Sequence, residues 1–298
     1  HQQFLKHLLL WQALIKNAGV EMEKLGTYEV SHLLAPRLNA MGRLVHAMDA
    51  LRLLCTKQSS KAEELAAKLG MTNRERQLMT EETTLHAKEL VKSLTLSQGS
   101  THIKQKLIFV THETYNQGII GLVAGKLVEA YHLPSIVVSK GEIISKASAR
   151  SISGFNIIEA IRKCMDLLVD AGGHPMAAGF TVETKYLLKL QSKLENIAKS
   201  QLNDELLTRK LTIDLELPLA FVTKELWLKI QTLAPFGIGN PEPIFFTRNL
   251  KVVNIRLIGA ENNHLKLKVV DGEKKELLDA IGFRMGEHKA YLDVGSLV

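Results

Sequence analysis

Apolar residues recur at helical spacing over residues 4–18, beginning with Phe4, Leu5, Leu8 and Leu9, and Gly19 is placed to end that helix. A second amphipathic stretch surrounds Leu44, Met48, Leu51 and Leu54. Pro36, between the two, is expected to keep the entry to APRLNAMGR non-helical. A long charged segment follows with two capping boxes, Ser60 with Glu63 and Thr72 with Glu75, which predict one helix that restarts after Gly70. Glu81, Glu82 and Lys88 fall among Leu78, Leu85 and Leu90, so this segment has a solvated face and reads as a connector between domains. From about residue 104 the pattern becomes mixed α/β. Strands are predicted at 107–110, 135–139, 143–149 and 180–183, with helices around Leu122 to Val128 and over 156–169. After about residue 205 come short strands bounded by turn residues, at 211–217, 244–246, 250–257 and 265–270. They read as a small β-barrel or sandwich, incomplete as it stands.

A chain of 298 residues suits two or three domains. Its 46% apolar and 23% charged residues are those of an ordinary globular protein. No apolar run approaches the length of a membrane span, and the N-terminus does not read as a signal peptide. Cys55 and Cys164 lie far apart in no metal-ligand spacing, which suits buried free thiols in a reducing, cytoplasmic setting. The net charge is +7, and its distribution is informative. Residues 1–98 carry 13 basic and 10 acidic side chains, residues 99–200 carry 12 and 8, and residues 201–298 carry 13 and 13. A polyanionic partner therefore belongs with the first two-thirds. His1 already stands inside a helical pattern and the chain stops at Val298 within an apolar segment, so the sequence reads as part of a larger protein.

Five motifs carry candidate chemistry. In AGGHPMAAGF, Gly172 and Gly173 let the backbone approach a ligand, and His174 can donate to a phosphate; a tight turn with an incidental histidine is the plain alternative. In SKASARSISGF, Arg150 stands among the hydroxyls of Ser148, Ser151 and Ser153, which suits one phosphate, or a strand with a polar face. Arg37 and Arg43 flank Asn39 and Gly42 in APRLNAMGR, and bind phosphates or make structural ion pairs. Asn116-Gln117-Gly118 precedes a helix whose N-terminus offers free N–H groups to an anion, and Gly121 and Gly125 within it read as close packing on the sheet. In LAPFGIGNPEPIFF, Phe236, Phe245 and Phe246 stack on bases or belong to the core.

AGGHPMAAGF resembles the glycine-glycine-histidine signature of the DHH-associated domain of the DHH phosphoesterase superfamily. PRLNAMGR, NQGIIGLVAGKLVE, SARSISGFNIIEAI and LAPFGIGNPEPIF each resemble the RecJ family, and they stand in that family's order from about residue 30 to 250. The resemblance implies an enzyme that degrades single-stranded DNA from the 5′ end in recombination and repair, with Mn2+ or Mg2+ as cofactor. It implies that Ser148, Arg150, Gly173 and His174 form the pocket for the DNA end, joined by Asn39 and Arg43. A repair helicase or a single-strand-binding protein is the expected protein partner. Two departures stand out: the family usually has histidine where Asn116 stands, and the Asp-His-His motif and its companion metal ligands are absent from this sequence. Those ligands are expected upstream of His1, so no catalytic or metal-binding residue is assigned to this chain.

The expected architecture is α/β: residues 1–55 the end of a DHH domain, 56–98 a helical connector, 99–200 the DHH-associated domain and 201–298 part of an OB-like domain. Arg37, Asn39, Arg43, Ser148, Arg150, Gly172, Gly173 and His174 are the expected substrate-binding residues. One rival is a phosphodiesterase for short oligonucleotides or cyclic dinucleotides, against which LAPFGIGNPEP argues. Another is a non-catalytic DNA-binding scaffold that has lost its metals.

Overall fold

The computed structural model describes residues 11–97, 105–271 and 277–298, and the chain divides into two units, His1–Arg209 and Lys210–Val298. The apolar positions at 4–9 lie outside the described residues. Residues 11–18 are helical (α1), bury Ala13, Leu14 and Ile15, and end at Gly19, whose φ of 68° favours glycine. A π-helical turn, Glu29–Leu34, then runs straight into α2 (Ala35–Leu44). Pro36 therefore does not keep the entry non-helical. It lies in the first turn of α2, directly after the wider π-helical turn, where its fixed φ suits a helix.

Helix α3 (Met48–Cys55) forms as expected but buries another face. Ala50 and Leu53 pack inward with Leu65 and Leu69, whereas Met48, Leu51 and Leu54 are exposed. Apolar residues surround this short helix, so periodicity alone could not choose its buried side. Cys55, at its end, is an exposed free thiol rather than a buried one; Cys164 is free and buried. Helix α4 (Ser59–Ser97) runs 39 residues without a break, roughly 58 Å at 1.5 Å per residue. It does not restart after Gly70. That glycine admits Asn17, whose Oδ1 would stand 2.3 Å from an added Cβ, and Thr72 is buried within the helix instead of capping it.

A five-stranded sheet follows, built from β1 (Ile108–His112), β2 (Ser135–Ser139), β3 (Ile144–Arg150), β4 (Leu168–His174) and β5 (Ala177–Glu183), in the order β1-β2-β3-β5-β4. Strands β1 and β2 pair in parallel, joined by α5 (Ile120–Tyr131); the other pairs are antiparallel. The helix expected over 156–169 is shorter. Asn156 caps α6 (Ile157–Arg162) by accepting from the Glu159 N–H at 3.3 Å, and the chain is extended again at Leu168. Ala171–His174 is thus the end of an edge strand, not a tight turn; the turn is Pro175-Met176.

Alternation in β3 and β5 divides the sheet's two faces. Ala147, Ala149, Ala178, Phe180 and Val182 pack on α6 and α7 (Leu187–Gln201), which is followed by the short α8 (Asp204–Leu207). The other face buries Ile108, Val110 and Val137 beneath Val123 and Leu127 of α5 and Ala87 and Val91 of α4. That cover lies over β1, β2 and the near side of β3, whereas Lys146, Asp170, Gly172 and His174 at the β3-β5-β4 end are exposed.

The second unit pairs β6 (Leu215–Glu216) with β7 (Phe245–Phe246) and forms an antiparallel sheet of β8 (Leu250–Ile258), β9 (His264–Asp271) and β10 (Leu277–Gly282). Val252, Leu265 and Val269 are its buried apolar residues in the sheet. The strand expected over 211–217 shrinks to two residues, and α9 (Lys224–Gln231) and β10 are additions to the sequence reading. Within LAPFGIGNPEPIFF, Gly237 and Asn240 exchange backbone hydrogen bonds at 2.9 and 3.1 Å. Phe246 is half-buried beneath the Arg248 guanidinium, 4.9 Å from the ring centre.

Candidate nucleic-acid interface

The open end of the sheet meets the N-terminus of α5 in a pocket of about 410 Å3, lined by Arg43, Gln117, Gly118, Gly121, Lys146, Ser148, Arg150 and Asp170 among others. Strand geometry explains the polar wall. Residues directly opposite on paired strands project to the same face. Arg150, Ala177 and His174 form one such row, Ser148, Gly179 and Gly172 the next, and Lys146, Thr181 and Asp170 the third. The middle strand contributes only alanine or glycine to two of these rows, so a surface without bulk separates Arg150 and Ser148 from His174.

Arg150 is half-buried and held from behind. Its Nη1 donates to the Ser148 hydroxyl at 3.2 Å and to the Ala149 carbonyl at 2.8 Å. Gly121 makes room: a Cβ there would stand 2.9 Å from Ser148 Oγ and 3.1 Å from Arg150 Nη2. Gly121 thus packs on the sheet as expected, whereas Gly125 has nothing within 4 Å of an added Cβ. Gly118 touches α2 even more closely, its added Cβ falling 1.9 Å from the Arg43 carbonyl oxygen. In return Arg43 Nη1 donates to the Gly118 carbonyl at 3.3 Å. Burial, then the charge of Arg43, hold the Arg150 guanidinium below its ordinary pKa. It remains cationic at neutral pH. Among the described residues no carboxylate forms an ion pair with Arg43 or Arg150. Asp170 is the one acid lining a pocket that also presents Arg43, Lys146 and Arg150.

Of the residues expected from the sequence, Arg43, Ser148 and Arg150 therefore meet in one pocket. Gly172 and His174 stand on the same sheet face at its edge, exposed. The Met176 N–H donates to His174 Nδ1 at 3.3 Å, so the neutral ring carries its proton on Nε2, free to donate. Gly173 takes φ 147°, and its added Cβ would fall 2.4 Å from the Ala177 carbonyl oxygen. Its glycine identity serves the hairpin. Asn39 is exposed one turn before Arg43 on α2. Arg37 turns back on its own helix: Nη1 bonds the Leu33 carbonyl and Nε is buried without a partner among the described residues. Neither lines the pocket. Gln117 and Gly118, from the Asn116-Gln117-Gly118 motif, line the pocket, whereas Lys146, Asp170 and Thr181 were not expected there from the sequence. Lys146 was within its reach, because Lys146, Ser148 and Arg150 alternate along one strand.

His86 and His112 approach to 4.7 Å between ring centres, with Tyr115 against both. His86 Nδ1 hydrogen-bonds the Tyr115 hydroxyl at 3.0 Å, and burial pushes that hydroxyl up to about 12. Among the described residues no three His, Cys, Asp or Glu side chains gather as a metal ion requires. These residues do not fit a cluster of divalent ions. No helix among them is long and apolar enough to cross a membrane.

Comparison with known proteins gives this geometry its context. The DHHA1 domain family matches residues 104–201, and the RecJ OB domain family matches residues 213–298. The single-stranded-DNA-specific exonuclease RecJ of Bacillus subtilis is 37% identical over 287 residues, 96% of this chain but 35% of the relative. That of Escherichia coli is 28% identical over 279 residues, 92% of this chain and 47% of the relative. The crystal structure of Thermus thermophilus RecJ in complex with Mg2+ superposes with a TM-score of 0.75 at 25% identity, over 92% of this chain and 45% of that one. A crystal structure of exonuclease RecJ bound to manganese gives a TM-score of 0.55 at 29% identity, over 66% and 47%. This chain spans a third to a half of the length of these relatives. It is a homologue of the RecJ single-stranded-DNA-specific exonucleases, with a DHHA1 domain and a RecJ OB domain covering part of their length.

Proposed function

We propose that the intact protein is a metal-dependent exonuclease that removes nucleotides from the 5′ end of single-stranded DNA in recombination and repair. In it, this chain supplies the wall of the cleft that grips the terminal phosphate. The observation that carries the reading is Arg150, held half-buried by Ser148 and Ala149 beneath Gly121 without a carboxylate partner among the described residues. Its planar fork matches two phosphate oxygens. The Ser148 hydroxyl adds a neutral donor, Arg43 adds charge, and His174 Nε2–H donates from the sheet edge. Divalent ions of the kind bound in the Thermus protein would activate water and stabilise the leaving oxygen. Their ligands would come from residues outside those described. The work of this wall is capture and register: fixing the terminal phosphate fixes which phosphodiester follows it. Contacts that bind substrate and transition state equally do not accelerate the chemical step. This chain alone should therefore release no mononucleotides from single-stranded DNA in Mn2+ or Mg2+.

The test is fluorescence anisotropy with 5′-phosphorylated and 5′-hydroxyl oligothymidylate. The wild-type chain should prefer the phosphorylated strand, with log affinity falling against log salt by roughly 0.7 per phosphate contact. Arg150→Ala and His174→Ala should each weaken that binding, by about tenfold or more where a charge-assisted bond is lost. Equal affinity of both variants and the wild type for the phosphorylated strand would remove the assignment.

A further inference from the structure

Arg76 belongs to none of the motifs above and lies within the long helix α4. Asn73, Thr80 and Thr84 mark a buried stripe of that helix, at 4%, 3% and 6% exposure, and Arg76 falls within it at i+3 from Asn73 and i−4 from Thr80. The stripe satisfies its own polar groups. Thr80 donates to the Arg76 carbonyl and Thr84 to the Thr80 carbonyl, both at 2.6 Å, and Arg76 Nη2 donates to Asn73 Oδ1 at 2.7 Å. What remains unmatched is charge, because among the described residues no carboxylate pairs with Arg76.

The packing brings Arg76 towards the pocket. Leu44, next to Arg43, and Met79, nearly one turn beyond Arg76, both pack on the apolar cluster beneath α5. Burial, and then the charge of Arg43, hold the Arg76 guanidinium below its ordinary pKa, as they do for Arg150. Three elements thus deliver Arg76, Arg43 and Arg150 to one region, with Arg43 acting on both of the others. Arg43 and Arg150 line the pocket, whereas Arg76 stands outside its walls. Cations that outnumber the pocket's acid, Asp170, repel each other until a polyanion joins them. A position beside the pocket, not in it, suits a phosphate adjacent to the one the pocket holds.

We propose that Arg76 binds the first internucleotide phosphate of the single strand, the neighbour of the terminal phosphate at Arg150 and Ser148, with Arg43 between the two. The assignment rests on the reading of the Arg150 pocket and adds a second subsite from the connector helix. It makes this wall a reader of two consecutive phosphates.

Two probes separate the subsites: thymidine 5′-monophosphate, with one phosphate, and 5′-phosphorylated hexathymidylate. Arg76→Gln, which retains a donor for Asn73, should bind the monophosphate like the wild type and the hexamer about tenfold more weakly. Its slope of log affinity against log salt for the hexamer should be shallower by roughly 0.7. Arg76→Lys, which keeps the charge, should retain the wild-type slope; a slope that falls in Arg76→Gln and is kept in Arg76→Lys follows the charge, a result that a purely structural role would not produce. Arg150→Ala should weaken both probes. Wild-type affinity and slope for the hexamer in Arg76→Gln would overturn the second subsite and leave the pocket intact. Equal weakening of both probes in that variant would also overturn it, by making Arg76 a support for the pocket. Unchanged monophosphate binding in Arg150→Ala would instead remove the reading on which the subsite rests.

Discussion

Gly121→Ala separates the fold from the pocket with a single methyl group. The position is in the first turn of α5, where replacing glycine by alanine favours the helix by up to about 1 kcal/mol. The added Cβ would stand 2.9 Å from Ser148 Oγ and 3.1 Å from Arg150 Nη2. Both are side-chain ends, so they can move by a few tenths of an ångström instead of straining the backbone. Driving them off their rotamers costs about 0.5–1.5 kcal/mol. The two effects nearly cancel, so the melting temperature should change little. Binding should not escape, because the displaced guanidinium loses its alignment with a phosphate. A misaligned charge-assisted bond is worth about 1.5–3 kcal/mol, or roughly ten- to hundredfold in affinity. Anisotropy with a 5′-phosphorylated oligonucleotide, beside a thermal melt, reads both quantities. Gly125→Ala is the control: its Cβ meets nothing within 4 Å, so it should stabilise modestly and leave binding unchanged. A Gly121→Ala protein that binds phosphorylated DNA like the wild type would refute the claim that Arg150 and Ser148 form the site.

Gly118→Ala should behave differently, because its Cβ would fall 1.9 Å from a backbone oxygen of Arg43. Separating α2 from the start of α5 should cost about 1–3 kcal/mol or more, seen as a lower urea midpoint. Leu190→Ala, at a fully buried position of α7, should cost about 2–5 kcal/mol without altering phosphate preference in protein that remains folded. Hydrogen bonds from Lys68 and then Arg52 hold the Asp49 carboxyl below the usual aspartate range. The charged form is thus favoured in the folded state, and its contribution is present above the unfolded value of about 3.9 and lost as pH falls through the lower folded value. Melts of Asp49→Asn and wild type should differ at neutral pH and converge in acid; a constant gap would contradict the pairing.

Much of the site was legible because strands and hairpins advertise themselves locally. Ser148 and Arg150 stood out as one arginine among hydroxyls, and their alternation with Ala147 and Ala149 also fixed which face they share. The paired glycines read as letting the backbone approach a ligand, whereas the close approach in the structure is that of Gly173 to Ala177 and Ala178 of its own hairpin. Other features depend on partners distant in sequence. Gly70 reads as a helix break until Asn17 is placed against it, and Thr72 reads as a cap until the helix is seen to continue. Arg76 carries no local signal at all, since its neighbour Arg43 stands 33 positions earlier. Helix α9 had a usable sign in Thr223, which accepts from the Leu226 N–H at 3.2 Å. Its run of Leu226, Trp227 and Leu228 hid the helical period. Strand β10 alternates between half-buried and exposed positions, but its run of Leu277, Leu278, Asp279 and Ala280 shows no matching alternation of polarity.

The most direct test of the central claim is a crystal structure of this chain with a short 5′-phosphorylated oligothymidylate. The terminal phosphate should lie within hydrogen-bonding distance of the Arg150 guanidinium and the Ser148 hydroxyl, at the mouth formed by Gly118 and Gly121. A strand bound with its 5′ phosphate elsewhere, and with this pocket occupied by water alone, would contradict it.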